Sequence, residues 1–335
     1  MNMKTIKLFT LLSILNLLMV ACNIQVIVID GKDNKTGQVE MKVSPDSNEE
    51  ISFTATANKI IINWGDDSID EFIPNGVEKE FTHKYSNNIL NLKTIVINTE
   101  NLISISYNDN SISNNDYKKP FFSELRFKDC LNLEEIHFPN NQLTVLEVNN
   151  ASALKVLYCP NNKLIELNLN ECTVLEKINC RSNLITQLTI DRCVILKELI
   201  CTKNQLNELN VDNFKELEEL FCCCNELTKL NLDKNVNLKI LECSGNYLTE
   251  LNVNVCQNIQ FINCSVNQLT INKKNELIES LPIFTGDLFV LIGDIEYFEE
   301  RYGSYEPNHI FCMHGFVLTG LYYTFDNKIK GWVVY

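Results

Sequence analysis

Residues 154–174 read LKVLYCPNNKLIELNLNECTV, and this 21-residue unit decides the fold because the chain repeats its frame without a gap. With Leu154 as place one, Leu157, Cys159, Asn162, Leu164, Leu167, Leu169 and Cys172 fill places 4, 6, 9, 11, 14, 16 and 19. Asparagine returns at place 9 as Asn141, Asn162, Asn183, Asn204, Asn225, Asn246 and Asn267. Place 6 is Phe138 and then Cys159, Cys180, Cys201, Cys222, Cys243 and Cys264. Within each half, Leu-x-Cys and Leu-x-Leu have period two, which predicts two short strands, each with one buried face. About seven buried side chains do not offset the entropy of ordering a whole unit, so neighbouring coils must stack to complete the burial. The asparagine is expected at a corner, bonding backbone groups of its own coil and the next.

The frame L-x-x-L-x-C-x-x-N-x-L resembles the leucine-rich repeat motif from Leu133 to Leu269. A looser copy precedes it, Leu102-x-x-Ile105-x-Tyr107-x-x-Asn110-x-Ile112, with about ten extra residues before Leu125 resumes the frame. The fold class expected is mainly β: an N-terminal β-sandwich, a leucine-rich repeat solenoid of 21-residue coils and a C-terminal cap. Residues 102–272 form the solenoid and 273–335 the cap, with a short helix over Asn275–Leu281 and strands over Leu288–Ile292, Phe316–Phe325 and Gly331–Tyr335.

Residues 23–101 carry alternating or β-branched runs, Ile24–Ile29, Gln38–Val43, Ile51–Ala55, Lys59–Trp64 and Lys93–Asn98, separated by turn residues. Trp64-Gly65-Asp66-Asp67, followed by His83-Lys84-Tyr85, resembles the W-G-D-G…H-x-Y signature of PKD-like immunoglobulin-fold modules, with Asp67 in place of the second glycine. Asp66 and Asp67 suit a turn better than calcium binding. Residues 1–22 have a charged start at Lys4 and Lys7 and an apolar stretch from Leu8 to Ala21, too short to span a bilayer. Met19-Val20-Ala21-Cys22 resembles a lipobox, which implies cleavage before Cys22, a lipid on that cysteine, and a membrane partner. Asn23 favours the outer membrane. A PKD-like module followed by cysteine-rich repeats is similar to surface lipoproteins of anaerobic gut bacteria, which implies cell-surface location and binding.

The net charge of −14 argues against a nucleic-acid partner and suits a soluble monomer. Stacked place-6 cysteines have parallel Cβ bonds, so they read as packed thiols and not disulfides. Cys223 and Cys224 fall nearer the strand edge and read as the reactive pair. His309, Cys312 and His314 are the one cluster of ligand-type residues, but a strand sends His309 away from the others. No nucleophile elbow, phosphate loop or zinc helix appears, so neither enzyme activity nor a cofactor or metal is expected.

If places 4 and 6 point inward, places 3 and 5 of the first strand face solvent. Six of their fourteen residues are Val156, Tyr158, Ile200, Phe221, Ile240 and Phe261. Glu198, Glu219 and Glu242 stand among them, and the second strand shows mostly polar residues. Apolar anchors ringed by charge point to a protein partner. Cross-strand packing explains the same row, and glycan binding or a purely structural envelope role are the other readings.

Overall fold

A computed structural model describes residues 36–44, 50–85, 92–107 and 121–281 in full, and the backbone of strands at 288–291, 328–329 and 332–334. All of these lie in the unit Lys35–Tyr335. Cys22, the run Ile24–Ile29, Asn110, Ile112, the run Phe316–Phe325 and the cluster His309, Cys312 and His314 lie outside the described residues.

The N-terminal strands are β1 (Thr36–Ser44), β2 (Glu50–Thr56), β3 (Lys59–Asn63), β4 (Ile69–Phe72), β5 (Glu78–Lys84) and β6 (Lys93–Glu100). They match the alternating runs read from sequence, with β4 and β5 added. The next two are β7 (Ser104–Ser106) and β8 (Phe121–Lys128). One sheet runs β8-β1-β6-β3-β4, and β7, β2 and β5 belong to a second. Phe53 of the second sheet packs on Trp64, which follows β3, with ring centroids 5.9 Å apart, and on Phe81 of its own sheet at 5.5 Å. The outer edge strands β4 and β5 carry Asp70, Glu71, Glu78, Lys79 and Glu80, charges that discourage further pairing.

Trp64 organises this part. It is fully buried, donates from Nε1 to Asp70 Oδ2 at 2.8 Å, and stacks on His83 at 4.6 Å. Tyr85 closes the cluster by donating to the Trp64 carbonyl at 2.7 Å. The Asp66 carboxylate accepts from Ser68 N (3.2 Å) and Ser68 Oγ (2.5 Å) and bonds His83 Nε2 (2.8 Å), so it holds the turn. Partial burial opposes its ionisation, but those hydrogen bonds prevail and lower its pKa. Asp67 has φ +69°, a left-handed conformation that Asp tolerates where glycine is commoner.

Both sheets continue into the repeats, across the boundary expected at residues 101/102. β8 pairs antiparallel with β1 on one edge and parallel with β10 (Val145–Asn149) on the other. β7 pairs antiparallel with β2 and parallel with β9 (Glu135–His137), placing Ile105 opposite Ile136. The looser copy at Leu102–Tyr107 is therefore the first side of a coil whose second side is β8. One hydrophobic core runs from Val39 to Leu281. The N-terminal strands cover the solenoid's first coil, the place where a stack of coils otherwise exposes apolar side chains and unpaired backbone.

On the first side of the coils, β11 (Val156–Tyr158), β13 (Lys177–Asn179), β15 (Glu198–Ile200), β16 (Glu219–Phe221), β17 (Ile240–Glu242) and β18 (Phe261–Asn263) extend β9 as a parallel ladder. Each successive pair is offset by 21 residues, as in Leu199↔Leu220↔Leu241. The expected second-side strand is narrower than its sequence frame. Besides β8 and β10 it exists as β12 (Glu166–Asn168) and β14 (Gln187–Thr189), and no later coil has one among the described residues.

Every place-9 asparagine bonds across coils. Asn162 Nδ2 donates to the carbonyls of Phe138 (2.9 Å), Cys159 (3.1 Å) and Pro160 (3.2 Å), and Oδ1 accepts the Leu143 amide (3.0 Å). The partners lie in its own coil and the preceding one, where the following one was expected. Place 8 is left-handed in every one of these coils, at Asn140, Asn161, Ser182, Lys203, Cys224, Gly245 and Val266.

At the C-terminal end the frame breaks at Asn272, and α1 (Ile271–Ser280) takes over the second side. It begins earlier than the expected Asn275 because Thr270 caps it, its hydroxyl accepting the Lys273 amide at 3.4 Å. The sheet still continues: β19 (Leu288–Leu291) pairs parallel with β18, then β21 (Trp332–Val334) with β19, and β20 (Lys328–Ile329) antiparallel with β21.

Candidate interaction face

The parallel register of the first side aligns its outward residues into two rows. Place 3 runs Glu135, Val156, Lys177, Glu198, Glu219, Ile240 and Phe261, and place 5 runs His137, Tyr158, Asn179, Ile200, Phe221, Glu242 and Asn263. Glu135, Lys177 and Tyr158 are exposed, while Val156, Glu198, Glu219, Phe221, Ile240 and Phe261 are half-buried.

Four place-5 residues expected on an open face are buried, Asn179, Ile200, Glu242 and Asn263. Ile200 is 3% exposed and Glu242 8%. Strands about 4.8 Å apart let outward neighbours shade one another. Ile200 stands between Asn179 and Phe221, and Glu242 between Phe221 and Asn263. The place-5 side chains also fold over the backbone beyond them. Asn179 Oδ1 accepts the Arg181 amide (3.2 Å), and Glu242 Oε1 accepts the Ser244 amide (3.2 Å) and hydroxyl (2.6 Å). Asn263 repeats this with Ser265, and its Nδ2 donates to Glu242 Oε2 at 2.9 Å. Burial outweighs these hydrogen bonds and lifts the Glu242 pKa to about 7. Ile200 and Glu242 thus support the face from beneath, and the accessible apolar residues are Val156, Tyr158, Phe221, Ile240 and Phe261.

The charged groups on the face are unequally paired. Lys177 Nζ lies 3.0 Å from Glu198 Oε2, and His137 Nε2 lies 3.3 Å from Glu135 Oε2. Glu219 makes no ion pair or side-chain hydrogen bond among the described residues, and partial burial, aided by Glu198, raises its pKa. Beside the face, place 2 alternates Glu134, Lys155, Glu176, Lys197, Glu218 and Lys239. These close into pairs of 2.8 Å (Lys155–Glu134), 2.7 Å (Lys197–Glu176) and 2.6 Å (Lys239–Glu218). This border was readable in sequence as a charge alternating at 21-residue spacing.

The twelve described cysteines are thiols, and all except Cys224 are buried. Burial raises Cys180 and Cys264 to about 12 and Cys159, Cys201 and Cys243 well above the usual range, which keeps these five place-6 thiols protonated. Cys223, expected to be reactive, is 1% exposed because place 7 turns into the corner, where its Sγ lies 3.4 Å from Thr202 Oγ1. Cys224 is half-buried. Among the described residues no group of three or more His, Cys, Asp or Glu is placed to hold a metal.

No protein-family model and no curated protein matches this sequence. Among solved structures, it is similar to the functional domain of InlJ from Listeria monocytogenes, which includes a cysteine ladder (32% identity, TM-score 0.44, covering 49% of this chain and 36% of that one). It is also similar to a leucine-rich repeat protein of Leptospira interrogans (22% identity, TM-score 0.36, 49% and 51%) and to a Shigella effector leucine-rich repeat domain (23%, 0.39, 50% and 74%). The chain thus spans about a third of the InlJ domain and half of the Leptospira protein. On its own geometry, with 21-residue coils, a parallel first-side sheet and a bonded asparagine column, this is a mainly β protein built on a leucine-rich repeat solenoid.

Proposed function

We propose that this chain is a lipid-anchored extracytoplasmic protein that binds a protein partner through the outward rows of its repeat sheet. The observation that carries the reading is two groups of partly accessible apolar side chains, Val156 and Tyr158 on β11 and Phe221, Ile240 and Phe261 on β16 to β18, on a sheet face where charge alone would suffice for solubility. Protein interfaces concentrate aromatic and aliphatic anchors inside a charged border, and the paired Glu–Lys column at place 2 is such a border. Cross-strand packing explains the burial of Ile200 but leaves the exposure of Tyr158, at 37%, unused.

The Trp64–His83–Tyr85 cluster supports reading the N-terminal strands as a PKD-like module. In this reading the anchor rests on the lipobox-like Met19–Cys22, Asn23 favours the outer membrane with a cell-surface location, and the net charge of −14 suits a monomer. Binding and not chemistry is the function in this reading. The test is Phe221→Asp combined with Ile240→Asp: loss of capture of a partner from lysate, with the unfolding midpoint retained, supports the proposal, and unchanged capture rejects it. For the anchor, Cys22→Ser abolishes incorporation of labelled palmitate; persistent labelling rejects it.

A further inference from the structure

Glu219 occupies an unusual place on the face. Its register neighbours are Glu198 on one side and Ile240 on the other, and Phe221 follows it on the same face of the same strand. Glu198 is held by Lys177 at 3.0 Å, leaving Glu219 as the place-3 carboxylate without an ion pair among the described residues. It is half-buried, so its charge is only partly solvated. Lys177 and Lys239 act on it only from beyond ion-pair distance, since Lys177 is bonded to Glu198 and Lys239 to Glu218 at 2.6 Å. A half-desolvated carboxylate bordered by Phe221 and Ile240, with Phe261 one strand beyond Ile240, is a poor arrangement for the isolated protein. It becomes a good one when a cation arrives together with apolar cover, because excluding water strengthens the pair.

We infer that the occupant of this face is a protein segment that sets an arginine or lysine side chain against Glu219 and lays apolar side chains over Phe221, Ile240 and Phe261. This deepens the binding proposal and rests on it. Complementary charge fixes register and selects partners, and the place-2 Glu–Lys column adds no competing net charge. The sheet's own ladder is complete on both edges of β16, so the segment docks by side chains on the face and not by strand addition.

The test is selection of a phage-displayed random-peptide library on the whole protein, with Phe221→Asp/Ile240→Asp as the subtraction target. The expected result is enriched peptides carrying Arg or Lys close to an aromatic or aliphatic residue. A synthetic copy should bind Glu219→Gln on the order of tenfold more weakly, and lose its salt dependence there. Thermal unfolding of Glu219→Gln at or above the parent midpoint ties the loss to the charge and not to folding. Enriched peptides that lack a cation, or that bind Glu219→Gln equally well, overturn this inference while the binding face stands. If no peptide prefers the parent over the subtraction target, the face itself is rejected and the inference with it.

Discussion

On the first side of the coils a parallel sheet continues from β7 through β18, whereas on the second side paired strands end at Thr189. The inward pattern is the same on both sides, alternating apolar residues at places 4 and 6 or 14 and 16. The outward residues differ. Second-side places 15 and 17 are mostly Asn and Asp, and Asn210, Asn231 and Asn252 Oδ1 accept the amides of Asp212, Asp233 and Asn254 at 3.0, 3.2 and 3.0 Å. A side chain that captures the backbone amide two residues on competes with the inter-coil ladder. First-side outward residues are bulkier, but the same capture occurs there, from Asn179 and Asn263, and at the end of the paired strand β12, where Asn168 Oδ1 accepts the Asn170 amide at 3.1 Å. Period two thus locates the buried face on both sides, and the asparagine capture accompanies paired and unpaired backbone alike.

The sharpest contrast comes from two asparagines six residues apart. Asn204 is buried; it donates to Cys180 O (3.1 Å) and Cys201 O (2.9 Å) and accepts the Ile185 amide (3.0 Å). Asn204→Ala strands those groups and is expected to cost roughly 3–5 kcal/mol in denaturant unfolding. Asn210→Ala, on the exposed second side, should stay within about 0.5 kcal/mol. Equal losses at the two sites would erase the distinction.

Glu242 gives the next largest effect, and only the first side has such a group. Its folded pKa of about 7 lies above the unfolded carboxyl value of 4.5, so the folded state holds the proton more tightly. Stability should therefore fall as pH rises from about 4.5 to 7, by roughly 3 kcal/mol. In Glu242→Gln that part of the pH slope should vanish, whatever the variant's absolute stability.

Smaller effects test the corner and the border. Val266 is a β-branched residue at φ +55°, so Val266→Gly should raise the unfolding free energy by about 1 kcal/mol in denaturant unfolding. Lys239→Ala removes an exposed ion pair with Glu218 and should cost less than about 0.5 kcal/mol. A larger loss there would mean the place-2 column carries the stack.

Much of this was legible in the sequence because a solenoid repeats its buried contacts at fixed spacing. Leu157, Cys159 and Asn162 each announce a column; the structure buries all three as read, but bonds Asn162 to the coil before it and not the one after. The left-handed place 8 was hidden because its occupants range from Asn140 to Lys203 to Val266; coil closure sets that φ and the side chain only tolerates it. The burial of Ile200 and Glu242 depends on neighbours 21 residues away and on Ser244 and Asn263, which period two along one strand does not capture. The continuity of both sheets across residue 101 was likewise invisible, since β1 reaches β8 across 76 intervening residues.

The central claim is that equivalent places stand in straight register along the first side. Spin labels introduced as an unnatural amino acid at Val156 paired in turn with Glu198, Glu219 and Ile240 test it directly by interspin distance. The account predicts separations that grow by one strand spacing, about 4.8 Å, with each added coil. Distances that fail to rise in equal steps would contradict it.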